Sequence, residues 1–262
     1  MGIIIAARLP YFDNVAQALL TDIRDSKTYV IRKLADGNCW MVKNLDLDLS
    51  TSITLDSTTS DLTAGRTWTP QNSTQTTTGT IWNANNTAQS YSTGNLYYAN
   101  GSSVGSGTQD NHENYAGQSS GEPWYRVGTY YNWYAATAGT GTAAMTSGNA
   151  TDSICPKGWK LPAGDDSIGS FYYLIHTTYG IALGATSFDV VKMTFASPLT
   201  FVHGGMYSPT GGYTYRQGDI GNYHTSTATS ETLYRYLNIG RGGINIGDAN
   251  KLNGWTIRCL AR

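Results

Sequence analysis

The sequence predicts an α+β chain in which short strands, one clear helix and long irregular loops share the core. Three observations predict it. Charged residues make up only 13% of the 262 residues, about half the usual globular share of roughly 25%. Polarity comes instead from Thr, Ser, Asn, 30 Gly and 19 Tyr, a composition that suits strands and ordered loops better than helical bundles. Alternating segments are short and bounded by Gly-rich turns, and sustained helical spacing occurs at few places.

The elements follow in order. Val15, Leu19, Leu20 and Ile23 fall at helical spacing, so a short helix is expected around 13–24, with Asp13 or Asn14 as N-cap, in an N-terminal extension over 1–27. The main domain is expected over 28–262. Thr28 to Lys33 alternates as a strand. Asp36-Gly37 is a strong hairpin signal, and Cys39 to Val42 forms the returning strand. From about 49 to 123 the chain is a Thr/Ser/Asn-rich excursion. Its spaced aromatics (Trp68, Trp82, Tyr91, Tyr97, Tyr98) argue for an ordered loop pinned to the core rather than disorder. Four Asn-x-Ser/Thr sites, at Asn72, Asn85, Asn100 and Asn149, arise by chance in so polar a chain. Trp124 to Ala136 is an aromatic cluster, and Ser153 to Pro162 is rich in turn signals. Ile168, Phe171, Leu174 and Ile175 share one face of a helix over 167–179, with Asp165 or Asp166 as cap and Gly180 as stop. Strands and Gly-rich turns alternate from Phe201 onward.

Charge and cysteines exclude several functions. A net charge of −1 gives no pull toward nucleic acid or anionic membrane, and no stretch is apolar enough to span a bilayer. Ile3 to Ala7 is too short for the core of a signal peptide. The composition nevertheless suits an extracellular or cell-surface protein. Cys39, Cys155 and Cys259 form no CxxC pair, and the four His are scattered, which argues against a zinc site. GxSxG, HExxH and P-loop motifs are missing. His203 and His224 lie among aromatics, where histidines are more often structural than basic catalysts. The chain is therefore expected to be no enzyme, with no cofactor. A structural calcium held by Asp46, Asp48 or Asp248 is left open, because hard cations need only clustered oxygens.

The segment 221–262 carries the binding signal. Leu237, Ile239, Ile244, Trp255, Ile257 and Cys259 form an apolar frame, and irregular polar and aromatic residues stand between them. Tyr and Trp offer contact area at low entropy cost, while Asn, Ser and Gly offer adaptable hydrogen bonds. Strand alternation points Leu233, Leu237 and Ile239 one way and Tyr234, Tyr236 and Asn238 the other, with Arg235 an exception on the apolar side. The expected displayed, ligand-binding set is His224, Tyr236, Asn238, Arg241, Asn245, Asp248, Asn250, Lys251, Leu252 and Asn253. The partner is an unspecified protein or glycan, bound by a monomer. The alternative is a structural surface component that packs against its own copies.

Four segments together resemble a known pattern: Asp36-Gly37-Asn38-Cys39-Trp40-Met41 with Asn44-Leu45; Tyr131 to Ala135; Cys155 to Pro162; and Gly254 to Cys259. In that order they resemble the Fibrobacter succinogenes major paralogous domain, a family of mostly exported bacterial proteins, from about Thr28 to Arg262. That family is similar to the formylglycine-generating-enzyme type of C-type lectin fold. The resemblance implies small twisted antiparallel sheets, one or two helices and long irregular loops. It also implies a Cys155–Cys259 disulfide, with Cys39 left over; three reduced thiols are the alternative. The same fold hosts the variable proteins of diversity-generating retroelements, which implies a hypervariable C-terminal face. The paired catalytic cysteines of formylglycine-generating enzymes and the calcium tripeptides of sugar-binding lectins have no counterpart here.

Overall fold

The computed structural model describes residues 17–47, 54–69, 81–83, 129–165, 169–184, 199, 201–208, 213–216, 220–240 and 243–262. They form an α+β structure of small antiparallel sheets with two short helices. The strands are β1 (Gln17–Thr21), β2 (Thr28–Lys33), β3 (Cys39–Met41), β4 (Leu55–Asp56), β5 (Thr67–Trp68), β6 (Ile81–Asn83) and β7 (Thr129–Tyr131). Then come β8 (Gly148–Asn149), β9 (Trp159–Lys160), β10 (Met206–Ser208), β11 (Tyr213–Tyr215), β12 (Ile220–Ala228), β13 (Leu233–Gly240), β14 (Gly243–Asn250) and β15 (Leu260–Ala261). The helices are α1 (Trp133–Ala136) and α2 (Ser170–Tyr173), the latter continuing as a π-helical turn over Leu174–Thr178.

The main sheet has the order β1-β2-β3-β15-β9. Its β2–β3 hairpin turns at Gly37, which takes the left-handed φ of +83° that glycine adopts without strain. The Asp36 carboxylate fixes the turn by accepting from Asn38 N at 3.2 Å and from the indole of Trp40 at 2.8 Å. Trp40 and Met41 alternate, so this sheet is buried on both faces. Met41 packs with Ile31, Leu45, Tyr131 and Ile257, while Trp40 packs with Phe171, Leu237 and Leu260.

The helix expected around 13–24 is not what forms. Residues 13–16 lie outside the described residues, and Gln17–Thr21 is strand β1, paired with β2 from Gln17↔Arg32 to Thr21↔Thr28. Residues from Gln17 onward thus belong to the main sheet rather than to an extension. Pairing outweighs a weak local helical preference, as tertiary context commonly does. Leu20 turns into the core, whereas Ile23, which a helix would have buried, is exposed in the β1–β2 turn.

The helix expected over 167–179 forms from Ser170. Residues 166–168 lie outside the described residues. The N-cap is Gly169 rather than an aspartate side chain, and Gly169 N donates to Asp165 O at 3.1 Å. Gly180, at φ +65°, ends the segment. Phe171, Leu174 and Ile175 fill a core between the main sheet and the β14-β13-β12-β8 sheet. Helix α1 is capped by Asn132, whose Oδ1 accepts from Ala135 N at 2.9 Å.

Cys155 and Cys259 form a disulfide that joins positions 104 apart in sequence, and Cys39 is free and half-buried. Arg258, between Ile257 and Cys259, is fully buried. It donates to Asn44 Oδ1 at 2.9 Å, to Leu199 O at 2.9 Å and to Val42 O, and it lies over the rings of Phe201 and Tyr223. The segments 36–45 and 254–259 are therefore tied together inside the core. Of the long excursion, 54–69 and 81–83 are described; Trp68 packs against the first core, while Tyr91, Tyr97 and Tyr98 lie outside the described residues. Among the described residues no helix is long and apolar enough to cross a membrane.

Candidate ligand-binding face

The candidate site lies on the central strands of the second sheet. The register pairs Tyr236 with His224 and Gly247, and Asn238 with Asn222 and Asn245. Directly opposed residues share a face, so Asn222, His224, Tyr234, Tyr236, Asn238, Asn245, Gly247 and Ala249 all belong to one side. Tyr223, Leu237, Ile239, Ile244 and Ile246 belong to the other and are buried in the core beneath.

The outward side is covered at one end. There Tyr234 and Ala249 pack with Trp133, Tyr134 and Trp255. Towards Asn238 the cover stops, leaving an open hollow of about 420 Å³. Its wall is aromatic: Tyr236 and Trp255 stand with ring centroids 4.2 Å apart. Its polar groups include amides from neighbouring strands, with Asn238 Nδ2 donating to Asn222 Oδ1 at 2.7 Å, and the charged side chains of Arg216 and Asp248. Met206, Arg216 and Asn253 complete the rim. The Tyr236 ring lies along β14 because Gly247 faces it; a Cβ there would come within 3.2 Å of Tyr236 Cε1. Partial burial raises the pKa of the Tyr236 phenol, so it stays a neutral donor and acceptor at neutral pH.

The ten expected residues divide sharply. Tyr236, Asn238, Asp248 and Asn253 line the hollow, and Asn245 is exposed directly opposite Asn238. Arg241 lies outside the described residues. Leu252 is half-buried against the cluster of Trp133, Tyr134 and Trp255.

Three expectations are corrected. His224 is not displayed but fully buried, with its ring nitrogen Nε2 2.6 Å from Tyr131 O. Burial lowers its pKa to about 3, only partly opposed by hydrogen bonding to the backbone of Tyr131 and Trp255, so the ring is neutral. Lys251 is also buried: its ammonium donates to Met145 O at 2.7 Å and Thr142 O at 3.1 Å, and lies 4.7 Å from the Trp133 ring centroid. Burial lowers its pKa too. Asn250 is exposed but on the opposite face. Asp248, although its strand position assigns it to that same opposite face, lines the hollow at the sheet edge as expected; its carboxylate lies 3.5 Å from Arg235 and accepts from Thr229 Oγ1 at 3.1 Å. Asn250 Oδ1 accepts from Leu252 N at 2.9 Å and closes the turn after β14.

Asn222, Trp255, Met206 and Arg216 were not expected at the site. Alternation along Ile220–Ala228, laid beside β13, would have found Asn222. Trp255 reads as an anchor and serves also as wall. Nothing local marks Met206 or Arg216.

The two described aspartates considered for calcium are engaged with cations. Asp46 lies 2.9 Å from Lys27 Nζ and accepts from Thr129, and Asp248 pairs with Arg235; Asp48 lies outside the described residues. Among the described residues no three His, Cys, Asp or Glu come together. Compared with known proteins, the chain matches no family model, no curated protein and no solved structure.

Proposed function

We propose that the chain is a non-catalytic ligand-binding module of a bacterial surface or extracellular protein, and that its ligand seats in the hollow beside Tyr236. One observation carries the proposal. Two aromatic rings and amides from adjacent strands converge on one open cavity above a rigid apolar frame. A concave site with an aromatic wall and a few placed polar groups is what ligand recognition requires. The ligand is a protein or a glycan. Asn side chains present both donors and acceptors, and Arg216 and Asp248 add one charge of each sign, so a partner with mixed hydrogen-bonding groups and no net charge is matched.

A non-catalytic role is supported by the enclosure of His224, which leaves its imidazole neutral and out of reach of the hollow's opening. Self-association is less well supported. Among the described residues only Ile23 and Tyr173 are large exposed hydrophobics, and they are isolated from the hollow. We further propose a C-type lectin-like fold of the formylglycine-generating-enzyme type, related to the Fibrobacter succinogenes major paralogous domain. In support, Cys155–Cys259 and Arg258–Asn44 join the segments that carry the resemblance. A variable role for the outward face follows the same proposal: Tyr236, Asn238 and Asn245 can change without touching Leu237, Ile239 or Ile244 beneath.

The test is binding to an immobilised glycan array and to a phage-displayed peptide library. The Tyr236→Ala/Asn238→Ala double variant should lose the uncharged ligands selected by the native chain and keep its circular dichroism spectrum. Retention of that binding by the variant, or no such ligand for the native chain in either screen, rejects the proposal.

A further inference from the structure

A second cavity stands apart from the hollow. It lies beside β9 and the segment 149–153, encloses about 630 Å³ and shares no lining residue with the hollow. Its lining carries no aromatic ring, so its chemistry differs.

The floor is polar and already satisfied. Asp61, Asp152, Ser153 and Ser226 are all buried. Asp61 accepts from Ser153 Oγ at 2.8 Å and from Arg262 Nε at 2.7 Å. Asp152 accepts from Thr63 Oγ1 at 2.7 Å and pairs with Arg66. Each acid in the lining thus has its own arginine, and the acids contribute no free negative charge to the cavity.

The rim is different. Lys157 and Lys160 both line it, on either side of the turn that Gly158 makes at φ +84°. Arg262 N donates to Gly158 O at 2.9 Å, which holds this turn against the segment beyond β15. Among the described residues neither lysine has an ion-pair partner. In a chain with only 13% charged residues, two uncompensated ammonium groups on one rim are a local excess of positive charge. Ser170 adds a hydroxyl: its oxygen accepts from Ala163 N at 3.2 Å, which leaves its proton to donate.

We infer that this cavity is a second binding site, for a small ligand that carries an oxyanion (a carboxylate, sulfate or phosphate) together with hydroxyl groups. Lys157 and Lys160 hold the oxyanion by charge-assisted hydrogen bonds, and the Ser170 hydroxyl donates to the ligand. The two arginine-neutralised aspartates keep the floor rigid and do not repel the anion. The site is independent of the hollow beside Tyr236, so either assignment stands without the other.

Isothermal titration calorimetry of the native chain with galacturonate, galactose 6-sulfate, inorganic phosphate and neutral galactose tests the inference. At least one anion should bind, with affinity that falls as salt rises, while galactose should not. Lys157→Glu/Lys160→Glu should weaken that binding by about tenfold or more, the effect of losing one or two hydrogen bonds to a charged group. Lys157→Gln/Lys160→Gln should weaken it in the same direction with the fold intact, and Tyr236→Ala should leave it unchanged. The responding arm shows whether the group is a carboxylate, a sulfate or a phosphate. Failure of all three anions to bind, or equal binding by native chain and lysine variants, overturns the inference.

Discussion

Replacing both bridging cysteines, Cys155→Ala/Cys259→Ala, should cost the fold more than its lost contacts suggest. The bridge joins positions 104 apart, and its chief effect is on the unfolded chain, whose ends it forbids to separate. For a closed loop of this length the chain-entropy model gives about 4–5 kcal/mol at 25 °C. In a chain of this size each kcal/mol moves the melting midpoint by roughly 2–4 °C, so the drop is roughly 8–20 °C. The assay is urea unfolding of the oxidised native chain and of the variant, followed by circular dichroism. The slope of free energy against urea should rise, because the unlinked unfolded chain exposes more surface. Both sulfurs are fully buried, so dithiothreitol should not reduce the bond until the protein unfolds. Cys39→Ser, at a half-buried position outside the bridge, is the control and should cost under about 1 kcal/mol. A double-variant loss below about 1 kcal/mol with an unchanged slope would refute the reasoning, because it would mean that the unfolded chain is already compact.

Two further outcomes are expected. Arg258→Met should destabilise by about 3 kcal/mol or more in the same assay, because it removes the charged donor from which Asn44 Oδ1 and the Val42 and Leu199 carbonyls accept inside the core; a loss under about 1 kcal/mol would show that other donors replace it. Acid should also destabilise through His224. Its folded pKa of about 3 lies below the ordinary value of 6.5, so in the interval between them the unfolded chain binds a proton that the folded chain refuses. Stability is full above pH 6.5 and falls as pH drops toward 3, by up to about 4 kcal/mol. His224→Gln should flatten that part of the stability curve, and an identical slope in both proteins would assign it to other groups.

What could be read from the sequence depended on the reach of the interaction. The β2–β3 hairpin was legible because turn chemistry at Asp36-Gly37 and alternation in both arms are local. So was the helix stopped by Gly180. Strand β1 was not, because its helical spacing loses to a partner strand that local pattern cannot weigh. At the site, alternation correctly separated Tyr236 and Asn238 from Leu237 and Ile239. Alternation was not read beyond that strand, and Asn250, whose face is set by pairing with Leu233, lies on the other side. His224 looked displayable because the groups that enclose it are remote: its carbonyl partner on Tyr131 is 93 positions away. Lys251 likewise meets Thr142 and Met145 more than a hundred positions back.

The place of β15 has a consequence for synthesis. Leu260–Ala261 sits between β3 and β9, inside the main sheet rather than at its edge. The ribosome must add 220 residues (261 − 41) after finishing β3 before that gap can be filled. At about 5–20 residues per second this takes roughly 10–40 s. For all of that time β3 presents an unpaired edge to whatever else is nearby, the condition under which nascent strands join the wrong neighbour. Recovery of correctly made protein should therefore improve when a holdase meets the growing chain, or when growth is slowed enough to keep such chains dilute.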